Sequence, residues 1–261
     1  MSAADTKPSL SLVIVAQNEE RTIEQVLASA QGIVDEIVLV DSGSTDRTKE
    51  IARTCSARVV EQPWLGYSAQ KNLAIDLAKG DWILSLDADE VLTPELASEI
   101  KATLARADIN GCAGYTIGRI LYIGDTAVTH GGFYPDAQLR LFRAGLGRFN
   151  DRLVHEAIRV DGTVGKLQAP MRHYAYATVA DFAAAMEKYA RLSAQEYAGK
   201  DSNHWRYHIV NELVHPVWTL FYRYVLRQGF LDGSLGWRLN CIYSDYVRRK
   251  IRYLRELRSQ S

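Results

Sequence analysis

Gly80-Asp81-Trp82-Ile83-Leu84-Ser85-Leu86-Asp87-Ala88-Asp89-Glu90 is a short apolar run that stops abruptly in carboxylates. Bounded by Gly80 and the acidic cluster, it predicts a buried strand of a parallel sheet. Asp87 and Asp89 then stand at its carboxyl end, where open α/β sheets bind ligands. Alternation along an extended chain puts both on one side, with the small Ala88 between them. Two hard oxygen ligands on one side suit Mg2+ or Mn2+, which leave other positions to water and substrate phosphates. By itself, Asp-x-Asp also fits a solvated acidic turn before a helix. Thr93-Pro94-Glu95 supplies such a helix start, with Thr93 as cap and Pro94 in the first turn.

Upstream, Ser9–Ala16 (SLSLVIVA) predicts a first buried strand, ended by Gln17-Asn18-Glu19-Glu20. Thr22–Ala30 carries apolar residues at helical spacing. Glu36–Val40 is a second strand, ended by Asp41-Ser42-Gly43-Ser44-Thr45-Asp46, with a helix from about Arg47 to Thr54. Arg58–Glu61 is a third strand and Tyr67–Lys79 a helix. Strands alternating with helices imply crossover units and a parallel sheet, a nucleotide-binding α/β half-domain. Downstream of a helix at Glu95–Ala107 the pattern changes. Gly114–Ile123, Gln138–Phe142 and Glu156–Val160 read as strands with glycine-rich connections, an added mixed or antiparallel region that builds the acceptor side of a cleft. Thr178-Val179-Ala180-Asp181 resembles a capping box opening a helix to about Tyr197. Glu212–Gln228 and Leu235–Arg258 predict two further helices. The expected organisation is a domain over 1–175, split into a donor half (1–108) and an acceptor half (109–175), and a helical C-terminal region over 176–261.

The chain of 261 residues is long enough for one large domain with an appendage. Its 31 Lys/Arg balance its 31 Asp/Glu, yet from Asp201 onward ten basic residues face five acidic ones. Cys55, Cys112 and Cys241 fit no disulfide framework and no zinc spacing, which points to a reducing cytosol. Met1–Ser9 is too short and polar for a secretory signal. No window reaches the ~18 uninterrupted apolar residues of a spanning helix.

Three polar clusters therefore end three strands: Gln17-Asn18-Glu19, Asp41 to Asp46, and Asp87 to Glu90. Each alone is ordinary turn chemistry; together they point to one crevice. Neither a Gly-x-x-x-x-Gly-Lys loop nor a Gly-x-Gly-x-x-Gly fingerprint is present.

Leu12–Glu20 (LVIVAQNEE), Ile37–Thr48 (IVLVDSGSTDRT), Ala69–Ala74 (AQKNLA) and Gly80–Glu90 closely resemble family 2 of the glycosyltransferases, in that family's order and near its spacing. The resemblance implies the GT-A (Rossmann-like) α/β fold: a mostly parallel sheet with helices on both faces, the added mixed region, and here the C-terminal helical appendage. It also implies a nucleotide-sugar donor bound through a divalent metal, Mg2+ or Mn2+. By position Gln17, Asn18 and Glu19 face the nucleoside, Asp41 meets base or ribose, and Lys71 the nucleotide. Asp87 lies near ribose or metal, and Asp89 binds the metal. A late His is a metal ligand in some GT-A enzymes, which makes His173 a candidate; a lone His is also ordinary in a core or loop. The stretch 134–143 (YPDAQLRLFR), followed by 152–156 (RLVHE), is similar to the branch with the lipopolysaccharide inner-core β-1,4-glucosyltransferases. That branch implies UDP-glucose as donor, a lipid-linked saccharide acceptor, and a cytoplasmic enzyme peripheral on the inner face of the inner membrane.

The implied chemistry is an inverting displacement, with charge developing on the departing diphosphate and a base taking the acceptor proton. Many members place that base in a Glu-Asp pair. No Glu-Asp dipeptide occurs here, and Glu156, after His155, is the candidate, with Asp136 next. Arg140 and Arg143, alternating with Leu139, Leu141 and Phe142, suit a diphosphate or phosphorylated acceptor, or else one solvated strand face. The basic aromatic stretches 216–224 and 242–257 suit an anionic membrane interface, or a packed appendage with a solvated basic face. No nucleic-acid fold signature accompanies them. The alternatives are a nucleotidyltransferase, which needs a glycine-rich phosphate loop where Gln17-Asn18-Glu19-Glu20 stands, and a non-catalytic nucleotide-sugar-binding protein.

Overall fold

The computed structural model describes residues 8–106, 111–150, 157–198 and 209–259. Four parallel strands come first: β1 (Leu10–Ala16), β2 (Glu36–Asp41), β3 (Arg58–Glu61) and β4 (Trp82–Asp87), in the spatial order β3-β2-β1-β4. Helices α1 (Ile23–Ser29), α2 (Thr48–Thr54) and α3 (Tyr67–Leu77) connect them. The strand sequences are apolar on both sides because both faces are covered. Leu10, Leu12, Ile14, Leu84 and Leu86 join Ile23, Val26 and Leu27 of α1 in one core. Val13, Val38, Val40 and Ile83 join Ala74 and Ile75 of α3 in the other. Gly80 lets β4 begin close to β1: a Cβ there would stand 2.6 Å from Ser11 Oγ, which instead accepts the Gly80 N–H at 2.8 Å.

Beyond β4 the sheet becomes mixed, antiparallel except where β11 (Val164–Lys166) runs parallel to β6 (Gly114–Ile123). It continues through β5 (Glu90–Leu92), β6 (Gly114–Ile123), β7 (Thr126–Val128), β8 (Asp136–Arg143), β11 (Val164–Lys166) and β12 (Met171–Tyr176). β8 lies antiparallel to β4, with Trp82 opposite Arg143 and Leu84 opposite Leu141. β12 lies antiparallel to β5, with His173 opposite Glu90. A separate hairpin pairs β9 (Gly147–Phe149) with β10 (Ile158–Val160). Helix α4 (Pro94–Leu104) starts as its sequence dictates: Thr93 Oγ1 accepts the Leu96 N–H at 3.2 Å and Pro94 occupies the first turn.

The backbone forms two compact units. One is built from the described residues up to Arg119 together with Asp136–Tyr174, the other from Ile120–Pro135 and the described residues from Ala175 onward. The second contains α5 (Val179–Ala198), α6 (Ile209–Phe221), a π-helical turn over Tyr222–Leu226, a 3-10 turn over Gly229–Asp232, and α7 (Gly233–Ser259). The expected capping box is present, with Thr178 Oγ1 and Asp181 exchanging hydrogen bonds at the start of α5. The expected basic face of α7 is largely engaged within the unit. Arg248 and Arg249 pair with Asp245, Arg249 also with Glu187, and Arg255 with Glu212.

Glu187 is the hub. The Tyr253 hydroxyl, then Arg249 and Arg191, hold its carboxyl at about 2, below its ordinary 4.5, against the opposing effect of burial. A depressed carboxyl binds its proton more weakly when folded than when unfolded. Its contribution is therefore complete above about pH 4.5 and disappears as the pH falls toward 2. Glu187→Gln is expected to flatten the stability–pH profile across that window. Urea unfolding at stepped pH checks this, and an unchanged slope refutes it.

Candidate active site

The site is built in the first unit, at the carboxyl ends of β1, β2 and β4. The β1 and β2 loops brace one another. Asn18 takes a left-handed backbone, φ 59°, which Asn tolerates better than other side chains. Its N–H donates to Ser44 Oγ at 2.9 Å and its Oδ1 accepts the Thr45 N–H at 2.9 Å. Gln17 Nε2 donates to the Ser42 carbonyl at 3.2 Å. Asp41 is fully buried, and its carboxylate accepts the N–H groups of Gly43 and Ser44 and the Ser44 hydroxyl. This Asx-type turn shapes the loop from below, so the residue expected against base or ribose lies beneath the surface that a nucleotide would meet.

Asp87 and Asp89 are each partly exposed, with side chains 29% and 26% accessible. The extended alternation expected for them is replaced by a tight turn at Ala88–Asp89, between the end of β4 and the start of β5. The correction has a plain cause: Ala88 is packed into the core, and the chain must leave β4 to pair β5 with β12. Both carboxylates nevertheless act on one neighbour. Burial and the charges of Asp89, Asp46 and Asp87 raise the Glu19 carboxyl above its ordinary range, a hydrogen bond from Thr22 opposing them.

The two aspartates have different partners. Asp87 accepts Lys71 Nζ at 2.7 Å and Arg140 Nη2 at 2.5 Å. Burial opposes its ionisation, but Arg140, Lys71 and Arg119 outweigh burial and hold it well below the usual carboxylate range. Asp89 instead faces His173, whose Nε2 lies 3.4 Å from Asp89 Oδ2. Burial disfavours the imidazolium, and the Asp89 carboxylate outweighs that, raising the His173 pKa. Among the described residues no three His, Cys, Asp or Glu side chains converge as a complete metal cage. A carboxylate in the turn after β4 and an imidazole on β12, beside a carboxyl strained by negative charge, do fit an ion that takes its other ligands from water and phosphate.

Sequence reasoning missed what lies underneath. Glu90 is fully buried; its Oε1 accepts Arg119 Nη1 at 2.7 Å and Arg140 Nη2 at 2.6 Å, and its Oε2 accepts the Asp87 N–H at 3.0 Å. Arg119 also donates to Asp136, which Gln138 holds from its other oxygen. Arg140, only 5% exposed, was expected at the donor or acceptor; its guanidinium is committed to Asp87 and Glu90, as a support for the aspartate. A visible signal existed, since Glu90 directly precedes the apolar Val91-Leu92. Glu156, the expected base, lies outside the described residues, as do Arg152 and His155.

A parallel sheet ending in carboxylates, extended by a mixed region, is the GT-A architecture of glycosyltransferases. The chain belongs to glycosyl transferase family 2, whose family model matches residues 11–151. An uncharacterized glycosyltransferase of Rickettsia bellii is 30% identical over 270 aligned positions, covering 100% of this chain and 90% of that one. The lipopolysaccharide core biosynthesis glycosyltransferase LpsC of Rhizobium meliloti is 28% identical, covering 94% and 92%. Glucosyl-3-phosphoglycerate synthase of Mycobacterium tuberculosis is 36% identical over 103 residues, 34% of this chain and 31% of that one. Its crystal structure with Mn2+, UDP and glucosyl-3-phosphoglycerate superposes with a TM-score of 0.36 over 44% of each chain. The protein is a glycosyltransferase.

Proposed function

We propose that this glycosyltransferase moves a hexose, glucose from UDP-glucose, with inversion onto a lipid-linked saccharide such as the lipopolysaccharide inner core. The single observation that carries the site is the Asp89–His173 pair beside the charge-crowded Glu19. Asp89 and His173 would hold Mg2+ or Mn2+, with Asp87 behind them. Such an ion supplies Lewis-acid stabilisation to a departing diphosphate. Lys71 adds positive charge at the same place, and the β1 and β2 loops at Gln17, Asn18 and Glu19, shaped from beneath by Asp41, form the nucleoside side. The near-complete coverage of LpsC, a lipopolysaccharide core enzyme by name, favours a lipid-linked acceptor. The partial resemblance to a glucosyl synthase favours glucose. Residues 1–108 serve the donor, 109–175 the acceptor and 176–261 a membrane surface at the cytoplasmic face. Among the described residues no helix is long and apolar enough to cross a membrane.

Glu156 takes the acceptor proton, a role worth ~10^2 to 10^4-fold in rate. Glu156→Gln is expected to lose transfer by that factor while UDP-sugar and Mn2+ affinities stay near normal. Full activity in that variant would move the role to Asp136, whose carboxyl Arg119 keeps below its ordinary range against the cost of burial. The reading as a whole is tested by UDP release from UDP-glucose, alone and with a lipid-core acceptor. Release that the acceptor does not stimulate would count against it.

A further inference from the structure

The second unit carries a concentration of exposed apolar side chains that its own packing does not use. Along α6, Leu213 (64% exposed), Val217 (70%) and Phe221 follow at helical spacing, beside Val214 and Trp218 (57%). Val225, Leu226, Phe230, Leu231 and Trp237 continue the exposed apolar set through the two following turns into α7. The Tyr224 ring links them, 6.2 Å from Phe230 and 5.0 Å from Trp237. A water-exposed apolar surface of this kind marks an interaction site.

Two arginines rise from the same turns. The Arg223 guanidinium is clamped between the rings of Phe133 and Tyr243, 4.3 and 3.8 Å from their centroids. Its Nε donates to Asn240 Oδ1 at 3.1 Å, while its buried Nη2 has no hydrogen-bond partner. Burial, with the nearby Arg227, pushes its pKa down to about 10, and Tyr243 and Tyr222 offset them only in part. The loop His130-Gly131-Gly132 closes the site. Gly131 N–H donates to the Arg227 carbonyl at 2.8 Å. Gly132, at φ +76°, lies against both cations: a Cβ there would stand 3.3 Å from Arg223 Nη1 and 4.0 Å from Arg227 Nε. A rigid, largely desolvated guanidinium with an unused N–H, and with no carboxylate partner among the described residues, suits an oxyanion.

We propose that Arg223 and Arg227, beside the Gly131–Gly132 loop, bind the phosphate of an anionic membrane lipid whose acyl chains meet the apolar stripe of α6. The pairing selects the occupant: aliphatic and Trp side chains next to two cations with no carboxylate partner among the described residues suit the boundary between headgroups and acyl chains. The inference deepens the membrane part of the proposed function. It uses no residue of the first unit, so its failure leaves the transfer reaction standing.

The test is co-sedimentation of the full chain at physiological salt with vesicles of phosphatidylcholine alone and of phosphatidylcholine with phosphatidylglycerol. The anionic vesicles are expected to bind more tightly. Arg223→Gln and Arg227→Gln should each weaken that binding about fivefold, the worth of one cation at such a surface. Val217→Ser with Trp218→Ser should weaken binding to both vesicle types. Arg227 is exposed, so its variant keeps the test decisive should Arg223→Gln misfold. The exposed cations Lys79 and Lys101 serve as a control, and Lys79→Gln with Lys101→Gln should change nothing. Equal losses in that control overturn the site, as does indifference of the intact chain to anionic vesicles. A third arm titrates inorganic phosphate in solution. Arg223-dependent phosphate binding without vesicle binding would assign the pocket to a soluble phosphate and overturn the lipid.

Discussion

Asp89→Ala is expected to lower sugar transfer on the order of 10^3-fold, the several kcal/mol that a positioned divalent ion contributes to a charged transition state. The residue stands in a turn, a quarter exposed, with its carboxylate toward His173. Removing that side chain opens no core cavity, so folding should be preserved and the loss should be chemical. Mn2+ is expected to raise the melting temperature of the parent chain, and the variant should lose that shift. Asp89→Asn, which keeps the shape and drops the charge, should behave alike if charge is what matters. Initial rates from UDP-glucose with a lipid-core acceptor, measured across Mn2+ concentrations, decide the matter. A parent-like rate in either variant would remove Asp89 from the site.

Glu90→Ala should have the largest effect on stability, about 3–5 kcal/mol, the cost of breaking a buried ion pair from one side. Glu90 is fully buried, and one of its oxygens serves both Arg119 and Arg140. Without it, two guanidinium groups face each other with, among the described residues, Asp87 and Asp136 left to share them. The Asp87 N–H also loses its acceptor. Glu90→Gln retains an oxygen for one arginine and should cost less. Equilibrium urea unfolding, with the midpoint and slope compared between variants, measures both. A loss below about 1 kcal/mol in the alanine variant would show that the arginines find water or other partners, contrary to the enclosure described.

Legibility in the sequence divided along physical lines. β1, β2 and β4, the loops that end them and the cap at Thr93 all follow from short-range patterns: apolar runs, turn residues and a Thr-Pro start. A turn at Asp-x-Asp is one of two open readings, and local pattern does not choose it over an extended strand, because the demand that breaks the strand comes from the pairing of β5 with β12, some eighty residues downstream. α6 was expected to run on to Gln228; it gives way instead to a π-helical turn at Tyr222. Likewise Arg140 on a half-apolar strand has the same sequence appearance whether it faces solvent or a buried glutamate.

The chain by itself determined the parallel half, its order of elements, and the arrival of Asp87 and Asp89 at a strand end, because strand, turn and helix signals are local. Only the tertiary structure decided which charges meet. Arg119, Arg140 and His173 reach Glu90, Asp87 and Asp89 because β6, β8 and β12 join the sheet in one register. Such register is set by packing between residues far apart in sequence, so no local pattern announces it.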